Sequence, residues 1–355
     1  MATTKVTTPD LIDISLDGAL QLPSGTTAQR PAAPSTGEWR YNTDNNLIEF
    51  YDGGAWRDLE DEAIPPIPSE NFNTVLYDGN SGTQAITGVG FQPDWVWIKR
   101  RDGTENHYLQ DSSRGSTYQI YSNLTDIEYN ETTAVTSFDA DGFTMGSYNG
   151  INNSGETYVA WCWKAGGSAD DFNKDGVGYS TASAAGMTSG SLTPTKSSVN
   201  TQSGFSVVTL NSGGSTADVT VSHGLGVKPA FVLFKKLDVD AGSWFTWHQS
   251  FSPESYYLYL NTDANFSALT QDTNAWGNQS FTSDVVSFRA GWTVETNRDI
   301  VIYSFAEIEG YSKFGSYTGN ASDTGPIINT GFEPAWLMIK VSSGSADSWF
   351  MVDNK

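Results

Sequence analysis

The chain has 355 residues, of which 38% are hydrophobic and 13% aromatic, enough to bury two or three cores of ordinary domain size. Its formal net charge is −22, from 41 acidic and 19 basic residues, and no Lys/Arg stripe offsets it, so the composition argues against partners such as nucleic acids or anionic membrane surfaces. The 35 glycines and the short β-type runs between Asn/Asp/Gly/Ser turns predict an all-β protein.

Residues 1–60 are predicted to form a separate N-terminal module. A proline-punctuated stretch precedes three short strands at 38–43, 47–51 and 55–57, which Asp/Asn/Gly turns join into a β-meander. So small a sheet has too little core to be stable alone, and it needs copies of itself or a large partner. We therefore expect this module to trimerise or to anchor the chain. The candidate interface residues are aromatic: Trp39, Tyr41, Phe50, Tyr51 and Trp56.

A linker is predicted at residues 61–70, where acidic residues lead into three prolines that favour an extended polyproline II spacer. The N-terminus is polar, and its apolar run at 11–14 is too short for a signal peptide. No window of about 18 apolar residues predicts a membrane span. We expect neither an export signal nor membrane insertion.

One motif occurs three times and organises the rest of the chain. Each copy is a turn with glycine and proline that leads into an aromatic and branched run ending in lysine, and the copies are at 90–99, 226–235 and 331–340. Proline belongs at the first residue of a strand because it cannot donate to a ladder. The run is apolar at consecutive positions, which predicts a central strand covered on both faces.

Similarity between the copies extends beyond the motif. Ser243-Trp244-Phe245 aligns with Ser348-Trp349-Phe350, and both align with residues 106–108. Residues 158–163 and 300–305 close the first two copies as half-buried strands that alternate large and small side chains. The sequence thus predicts tandem β-sandwich units of jelly-roll or lectin-like type. Their bounds are 71–167 (repeat 1) and 204–309 (repeat 2), with a Ser/Thr/Gly-rich connection at 168–203 and the start of repeat 3 at 310–355.

Repeat 3 is shorter than the others. From the motif proline to the closing aromatic residue is 163 − 93 = 70 residues in repeat 1 and 305 − 229 = 76 in repeat 2, whereas 355 − 334 = 21 follow Pro334. A partial sandwich exposes unpaired strand edges and an open core. We therefore expect the native polypeptide to be longer. The connection at 168–203 is expected either to be mobile or to pack along a neighbour.

Candidate chemistry is sparse. Asp171, Asn173, Asp175 and Gly176 fit the first half of a calcium loop, but Ala182 stands where the bidentate glutamate belongs, and the same residues could cap their own backbone. The three histidines have no zinc-ligand spacing, and no carboxylate pair, nucleophile elbow or phosphate loop stands out. Cys162, the only cysteine, is expected to be a buried small residue. The sequence predicts no enzyme, no metal and no cofactor.

Some aromatic residues flank turns instead of lying within apolar strands. These residues could form stacking platforms for sugar rings, because an aromatic face complements the C–H faces of a sugar. Packing in the core or at a subunit interface is the other interpretation. The candidate glycan-binding residues are Trp244, Trp247, Tyr256 and Tyr257.

The N-terminal pattern resembles a known viral module. The residues that carry it are Leu22-Pro23-x-Gly25-Thr26-Thr27-Ala28-Gln29-Arg30-Pro31, Gly37-x-x-Arg40-Tyr41-Asn42-Thr43 and Glu49-x-Tyr51-Asp52-Gly53-x-x-Trp56. They are similar to a module near the ends of tail-fibre and other virion structural proteins of bacteriophages. The repeats, with Gly-Phe-x-Pro and Tyr158-Val159-Ala160-Trp161, resemble a domain common in structural proteins of marine phages, cyanophages among them. Repeat 2 departs from this pattern with Gly226-Val227-Lys228-Pro229.

The resemblance implies a virion protein. We expect a tail fibre, made in the host cytoplasm and located in the phage tail, whose N-terminal region attaches it to other tail or virion proteins. The implied oligomer is a homotrimer, and the implied external partner is a host cell-surface glycan or protein. The alternatives are a head-decorating or tail-associated structural protein without receptor binding, and a virion-bound glycan hydrolase.

Overall fold

A computed structural model describes residues 22–59, 65–266, 274–277 and 280–355. The chain divides into two compact units, Met1–Pro65 and Pro66–Lys355. Nearly all regular structure is β, which confirms the predicted all-β, sandwich-like fold. The apolar run at 11–14 and residues 61–64 of the predicted linker lie outside the described residues. The last three residues of that linker, Pro68–Glu70, form a 3-10 helix and not the predicted extended spacer.

The first unit contains one sheet of four strands in the order β1-β2-β3-β4, with β1 parallel to β2 and the others antiparallel. The strands are β1 (Ser24–Gly25), β2 (Trp39–Asn42), β3 (Leu47–Tyr51) and β4 (Trp56–Asp58), and a 3-10 helix covers Thr27–Gln29. The turn into β4 forms because the Asp52 carboxylate accepts the backbone N–H groups of Gly54 and Ala55 at 2.7 Å each. The predicted meander is thus present, with one short strand added.

Repeat 1 is a sandwich of a six-stranded and a three-stranded sheet. Its elements are a 3-10 helix at Pro68–Glu70, β5 (Phe72–Asp78), β6 (Gln84–Thr87), β7 (Trp95–Arg100), β8 (His107–Asp111), β9 (Tyr118–Tyr121), β10 (Tyr129–Asn130), β11 (Val135–Asp139), β12 (Gly142–Met145), α1 (Asn149–Asn152) and β13 (Thr157–Trp163). The large sheet has the order β10-β9-β8-β7-β13-β5 and the small one β11-β12-β6. Between them lie apolar side chains such as Val96, Ile98 and Phe143.

Repeat 2 has a corresponding pair of sheets. Its strands are β14 (Phe172–Lys174), β15 (Val177–Tyr179), β16 (Lys196–Asn200), β17 (Phe205–Asn211), β18 (Val219–Ser222), β19 (Phe231–Lys236), β20 (Phe245–His248), β21 (Leu258–Tyr259), β22 (Val285–Phe288) and β23 (Asp299–Phe305). The large sheet has the order β15-β14-β16-β17-β23-β19-β20-β21, and β18 pairs with β22. The predicted connection at 168–203 therefore supplies β14, β15 and β16, which extend the sheet of its neighbour.

Repeat 3 supplies a hairpin of β24 (Trp336–Ile339) and β25 (Phe350–Asp353). One face of the hairpin, with Trp336, Met338 and Met351, packs against the other repeats. The opposite face is exposed, unlike the corresponding faces of β7 and β19. The predicted two-sided burial of the motif strand thus occurs in the first two copies and not in the third.

A shared aromatic core joins the three repeats. The large sheets of repeats 1 and 2 face each other through this core, and the hairpin of repeat 3 packs against the same cluster. In β7, Trp95 and Trp97 point into the shared core, whereas Val96 and Ile98 point into the sandwich of repeat 1. The strict alternation of side chains along a strand explains why a continuous apolar run is needed here: both faces are internal.

Equivalent contacts show that the repeats follow one another cyclically around this core. A phenylalanine that precedes each motif meets the first aromatic residue after the motif proline of another repeat, always in the same sense. The ring centroid distances are 5.6 Å for Phe205–Trp95, 6.2 Å for Phe314–Phe231 and 6.3 Å for Phe72–Trp336. The pairs join repeat 2 to 1, repeat 3 to 2 and repeat 1 to 3. Unit 66–355 is therefore a pseudo-threefold arrangement made by one chain.

Hydrogen bonds repeat in the same cyclic sense. The Nε1 groups of Trp244 and Trp349 donate to the backbone oxygens of Tyr121 and Tyr259 at 2.8 and 2.9 Å. The motif lysines Lys235 and Lys340 donate to the carbonyl oxygens of Thr125 and Asp263, both at 3.0 Å. Each bond runs from one repeat to the repeat before it, so directional hydrogen bonds as well as apolar contacts specify this stacking.

Candidate interaction surfaces

The inner face of the N-terminal sheet is polar. Glu49 has a fully buried side chain that forms ion pairs with Arg30 at 2.7 Å and with Arg40 at 3.1 Å. The guanidinium groups of both arginines lie within 6 Å of the Trp56 ring centroid, at 5.9 and 5.8 Å, in cation–π range. Asn42 adds a hydrogen bond to Glu49 at 3.1 Å. Buried charges hold this small sheet to the segment that covers it.

The outer face of the same sheet is apolar and open. The antiparallel register places Trp39 opposite Phe50 and Tyr41 opposite Ile48. The Trp39 and Phe50 rings stack at 5.3 Å, and Trp39 is 47% exposed. These four side chains lie on the outward face of the sheet. In a usual half-buried sheet the apolar face points inward, so the pattern is reversed here. We call Trp39, Tyr41, Ile48 and Phe50 the outer aromatic face.

The five predicted interface residues therefore divide between two faces. Trp39, Tyr41 and Phe50 belong to the outer aromatic face, whereas Tyr51 pairs with Trp56 on the inner side, with ring centroids 5.7 Å apart. Trp56 is buried under the two arginines and is not available to a partner. Ile48 was not among the predicted interface residues. Its position two residues before Phe50 in the same strand places it on the outer aromatic face, because side chains alternate along a strand.

Charge beside the outer aromatic face is balanced locally. Arg57, opposite Phe50 in the register, forms an ion pair with Asp52. The hydrogen bond from Arg57, followed by those from the backbone N–H groups of Ala55 and Gly54, lowers the pKa of Asp52 to about 2. The Asp52 carboxylate therefore stays ionised and paired, and the face presents apolar area with little net charge.

The predicted glycan-binding aromatics are mostly in the interior. Trp244 lies in the shared core, whereas Trp247 and Tyr257 lie in the core of repeat 2; all three are at most 3% exposed. Tyr256 alone is half-buried. The prediction of an exposed stacking platform at these positions is corrected here: turns flank these residues, but the pseudo-threefold packing and the small sheet of repeat 2 cover them.

A shallow cleft borders one of these rings. It has a volume of about 290 Å³, and its lining includes Trp247, Trp276, Phe281 and Glu254. The indole N–H groups of Trp247 and Trp276 already donate to the backbone oxygens of Glu254 and Tyr256, both at 2.9 Å. The rings are thus held in place, and each is only 2% exposed. Trp276 and Phe281 were not singled out by the sequence pattern.

Candidate metal ligands are engaged with protein groups. Within the described ranges there is no group of three or more His, Cys, Asp or Glu side chains that could hold a metal ion. Asp175 accepts two hydrogen bonds from Thr201, at 2.7 and 2.9 Å, and Asp171 pairs with Lys196 at 3.1 Å. Asn173 is buried and bonds to the backbone of Asp170. The contacts of Asn173 correspond to the backbone-capping interpretation of the predicted calcium loop, whereas Asp171 and Asp175 bond to residues outside the loop.

Histidine and cysteine side chains have structural surroundings. His107 accepts a hydrogen bond from Trp97 Nε1 at 2.9 Å, and burial lowers the pKa of both His107 and His223 to about 4. Burial likewise lowers the pKa of His248. Cys162 is fully buried, and desolvation raises the pKa of its thiol. A protonated thiol in an apolar core is a poor nucleophile.

A buried charged network lies between repeats 1 and 2. Asp111 accepts hydrogen bonds from Arg114 at 2.5 Å and from the Tyr303 hydroxyl at 2.6 Å. Arg114 also pairs with Glu128 at 2.8 Å, and burial raises the pKa of Glu128. These groups satisfy one another, as buried charges must. The network joins strands almost 200 residues apart in the sequence, as the separation of 192 between Asp111 and Tyr303 indicates.

The fold defines an all-β repeat protein with a separate small unit at its N-terminus. A family model described as "Domain of unknown function (DUF7483)" matches residues 67–355, which is more than half of the chain, and the chain belongs to that family. No curated protein and no solved structure matches it. In the part of the chain that the structure describes, no helix has the length and apolar character to cross a membrane.

Proposed function

We propose that this protein is a structural component of a bacteriophage particle, a tail fibre that attaches by its N-terminal unit and presents the repeat body for contact with the host surface. The observation that carries the proposal is the outer aromatic face. It supports an assembly role because exposed aromatic area on a sheet too small to be stable alone marks a protein interface.

The oligomer is proposed to be a homotrimer formed through this face. A sheet with a charged inner side and an apolar outer side gains stability when the outer sides of several copies meet, because burial of apolar area contributes about 25 cal/mol per Å². The partner of the assembled module is another tail or virion protein. The sequence resemblance supports this choice of partner, and the host-facing ligand is proposed to be a cell-surface glycan or protein.

The first experiment measures self-association of the full chain. We expect sedimentation equilibrium to give a trimer for the unmodified protein and a monomer for Trp39→Ser/Phe50→Ser. Tyr129→Ser is the matched control, since Tyr129 is a similarly exposed aromatic of the second unit, at 43% against 47% for Trp39. A trimer that survives the double substitution, with unchanged circular dichroism, would show that the outer aromatic face is not the interface.

The second experiment tests the location in the particle. Phage particles produced with the Trp39→Ser/Phe50→Ser protein are expected to lack it by mass spectrometry and to lose adsorption to host cells, whereas Tyr129→Ser particles keep both. Particles that retain the variant but adsorb poorly would place the outer aromatic face at the host. Complete particles with normal adsorption in the absence of this protein would overturn the proposed fibre role.

A further inference from the structure

In the part of the chain that the structure describes, one edge of the motif strand of repeat 3 is unpaired. In repeat 1, β7 lies between β8 and β13, and in repeat 2, β19 lies between β20 and β23. Within the described residues, β24 pairs with β25 alone. Because β25 corresponds to β8 and β20, the unpaired edge of β24 is the one that β13 and β23 occupy in the other repeats. Open edges of this kind accept strands from other polypeptides.

Near this edge, apolar side chains whose equivalents are buried inside the sandwiches of repeats 1 and 2 are exposed. Leu337 and Val352 are opposite each other in the hairpin register and are 41% and 55% exposed. The corresponding residues of the other motif strands, Val96 and Val232, are fully buried. Ile327, at the position that precedes the motif as β6 and β18 do, is 98% exposed. The apolar surface that continues from the edge is therefore suited to a β-strand partner.

The contacts between the repeats indicate what a strand paired with the open edge of β24 would touch. The closing strand of each complete repeat donates one hydrogen bond to the end of β8 or its equivalent in the preceding repeat: Tyr303 to Asp111 at 2.6 Å, and Trp161 to Asp353 at 2.9 Å. The third equivalent acceptor is His248, at the end of β20. Among the described residues of repeat 3, no closing-strand side chain reaches it, and its ring instead lies near Phe231, Phe251 and Phe314.

We propose that the open edge of β24 binds an antiparallel β-strand of the closing type, an extended segment with alternating large side chains like residues 299–305. The register of β19 with β23 defines its position: a residue like Phe305 stands opposite Trp336, and one like Tyr303 stands opposite Met338. The tyrosine hydroxyl then meets the ring of His248. This continues the interface already formed between repeats 1 and 2 and between repeats 3 and 1. It is independent of the proposed virion function.

The test uses a fluorescently labelled peptide with the sequence of residues 297–306, flanked by lysines for solubility, added to the full 355-residue chain. We expect saturable binding by fluorescence anisotropy. Proline at the position of Val301, whose N–H faces β19 in the native register, removes a ladder donor and bends the strand, and should weaken binding roughly tenfold or more. Phenylalanine at the position of Tyr303 should weaken it by a smaller factor, because only the contact with His248 is lost.

Hydrogen exchange locates the bound peptide. We expect new protection at residues 336–339 and none at 95–100 or 231–236, whose strands already have two neighbours. Equal binding of the proline peptide, or protection confined to the N-terminal sheet, would overturn the proposal. So would protection of residues 336–339 without peptide in a chain that sediments as a dimer, since a second copy would then occupy the edge.

Discussion

The hydrogen bond between Tyr303 and Asp111 gives the sharpest test of the pseudo-threefold arrangement. Both side chains are fully buried, and the bond of 2.6 Å crosses the boundary between repeats 1 and 2. Tyr303→Phe removes the hydroxyl and keeps the ring, which stacks on Trp95 at a centroid distance of 4.6 Å. The substitution therefore separates the hydrogen bonds of one hydroxyl group, the short one to Asp111 and a long one of 3.5 Å from Arg114, from the packing of the shared core.

The expected cost follows from the charge of the acceptor. A hydrogen bond to an ionised group contributes about 1.5–3 kcal/mol, and here the carboxylate keeps Arg114 as a partner while losing one donor. We expect Tyr303→Phe to lower the free energy of unfolding by roughly 2 kcal/mol. With an m-value of about 3 kcal/mol/M, the urea midpoint falls by roughly 0.7 M.

Urea unfolding followed by tryptophan fluorescence measures this change, because the shared core is rich in tryptophan. Tyr317→Phe is the matched control, since Tyr317 is 51% exposed and its hydroxyl group should contribute within about 0.5 kcal/mol. If the two variants unfold at the same urea concentration, the buried hydroxyl does not hold the repeats together, and our account of their cyclic contacts is wrong at this site.

Three further outcomes follow from buried groups. Trp247→Ala should lower the free energy of unfolding by about 3–5 kcal/mol in urea titrations, because it opens a cavity in repeat 2; unchanged stability with a loss of glycan binding would contradict the burial of this ring. Burial lowers the pKa of Lys235 to about 8 from 10.5, so between these two pH values the unfolded chain binds more protons than the folded one and stability rises with pH. Between pH 7 and 10 the free energy of unfolding should rise by roughly 2 kcal/mol relative to Lys235→Met. Parallel pH profiles of the two proteins would refute this. Burial lowers the pKa values of His107 and His223 to about 4, so both stay neutral in the folded state while the unfolded chain binds protons below pH 6.5 or so. Stability is therefore lost as pH falls from about 6.5 to 4, and the loss should reach roughly 5 kcal/mol at pH 4.5. Urea midpoints that are flat over this range would contradict this expectation.

The sequence predicts those features that depend on local pattern. The motif run with proline at its start predicts the central strands β7 and β19, and the Asp/Asn/Gly turns predict the N-terminal meander, because strand alternation and turn chemistry act over a few residues. Recurrence of the motif also predicts tandem units. It does not predict that the units share one core, since an apolar run indicates that both faces are covered without indicating what covers them.

Long-range packing accounts for the errors. Trp244 follows a turn in the sequence, yet it lies in the shared core because repeat 1 covers it. Ser197 and Ser198 in the predicted connection are buried in an added strand, where neighbours and not intrinsic propensity decide the conformation. The buried pair of Asp111 and Tyr303 joins residues 192 positions apart, and no spacing in the sequence indicates such a pair.

The cyclic core also bears on how this chain can vary. In a true homotrimer, every substitution appears three times around the axis, so a residue must suit all three interfaces at once. Here the equivalent positions Asp111, His248 and Asp353 belong to one polypeptide, and the residue of repeat 2 already differs from the other two. The same holds for Trp95, Phe231 and Trp336. Each interface can therefore change by a single substitution while the other two stay as they are. A single chain thus combines threefold-like packing with three interfaces that can each be substituted independently.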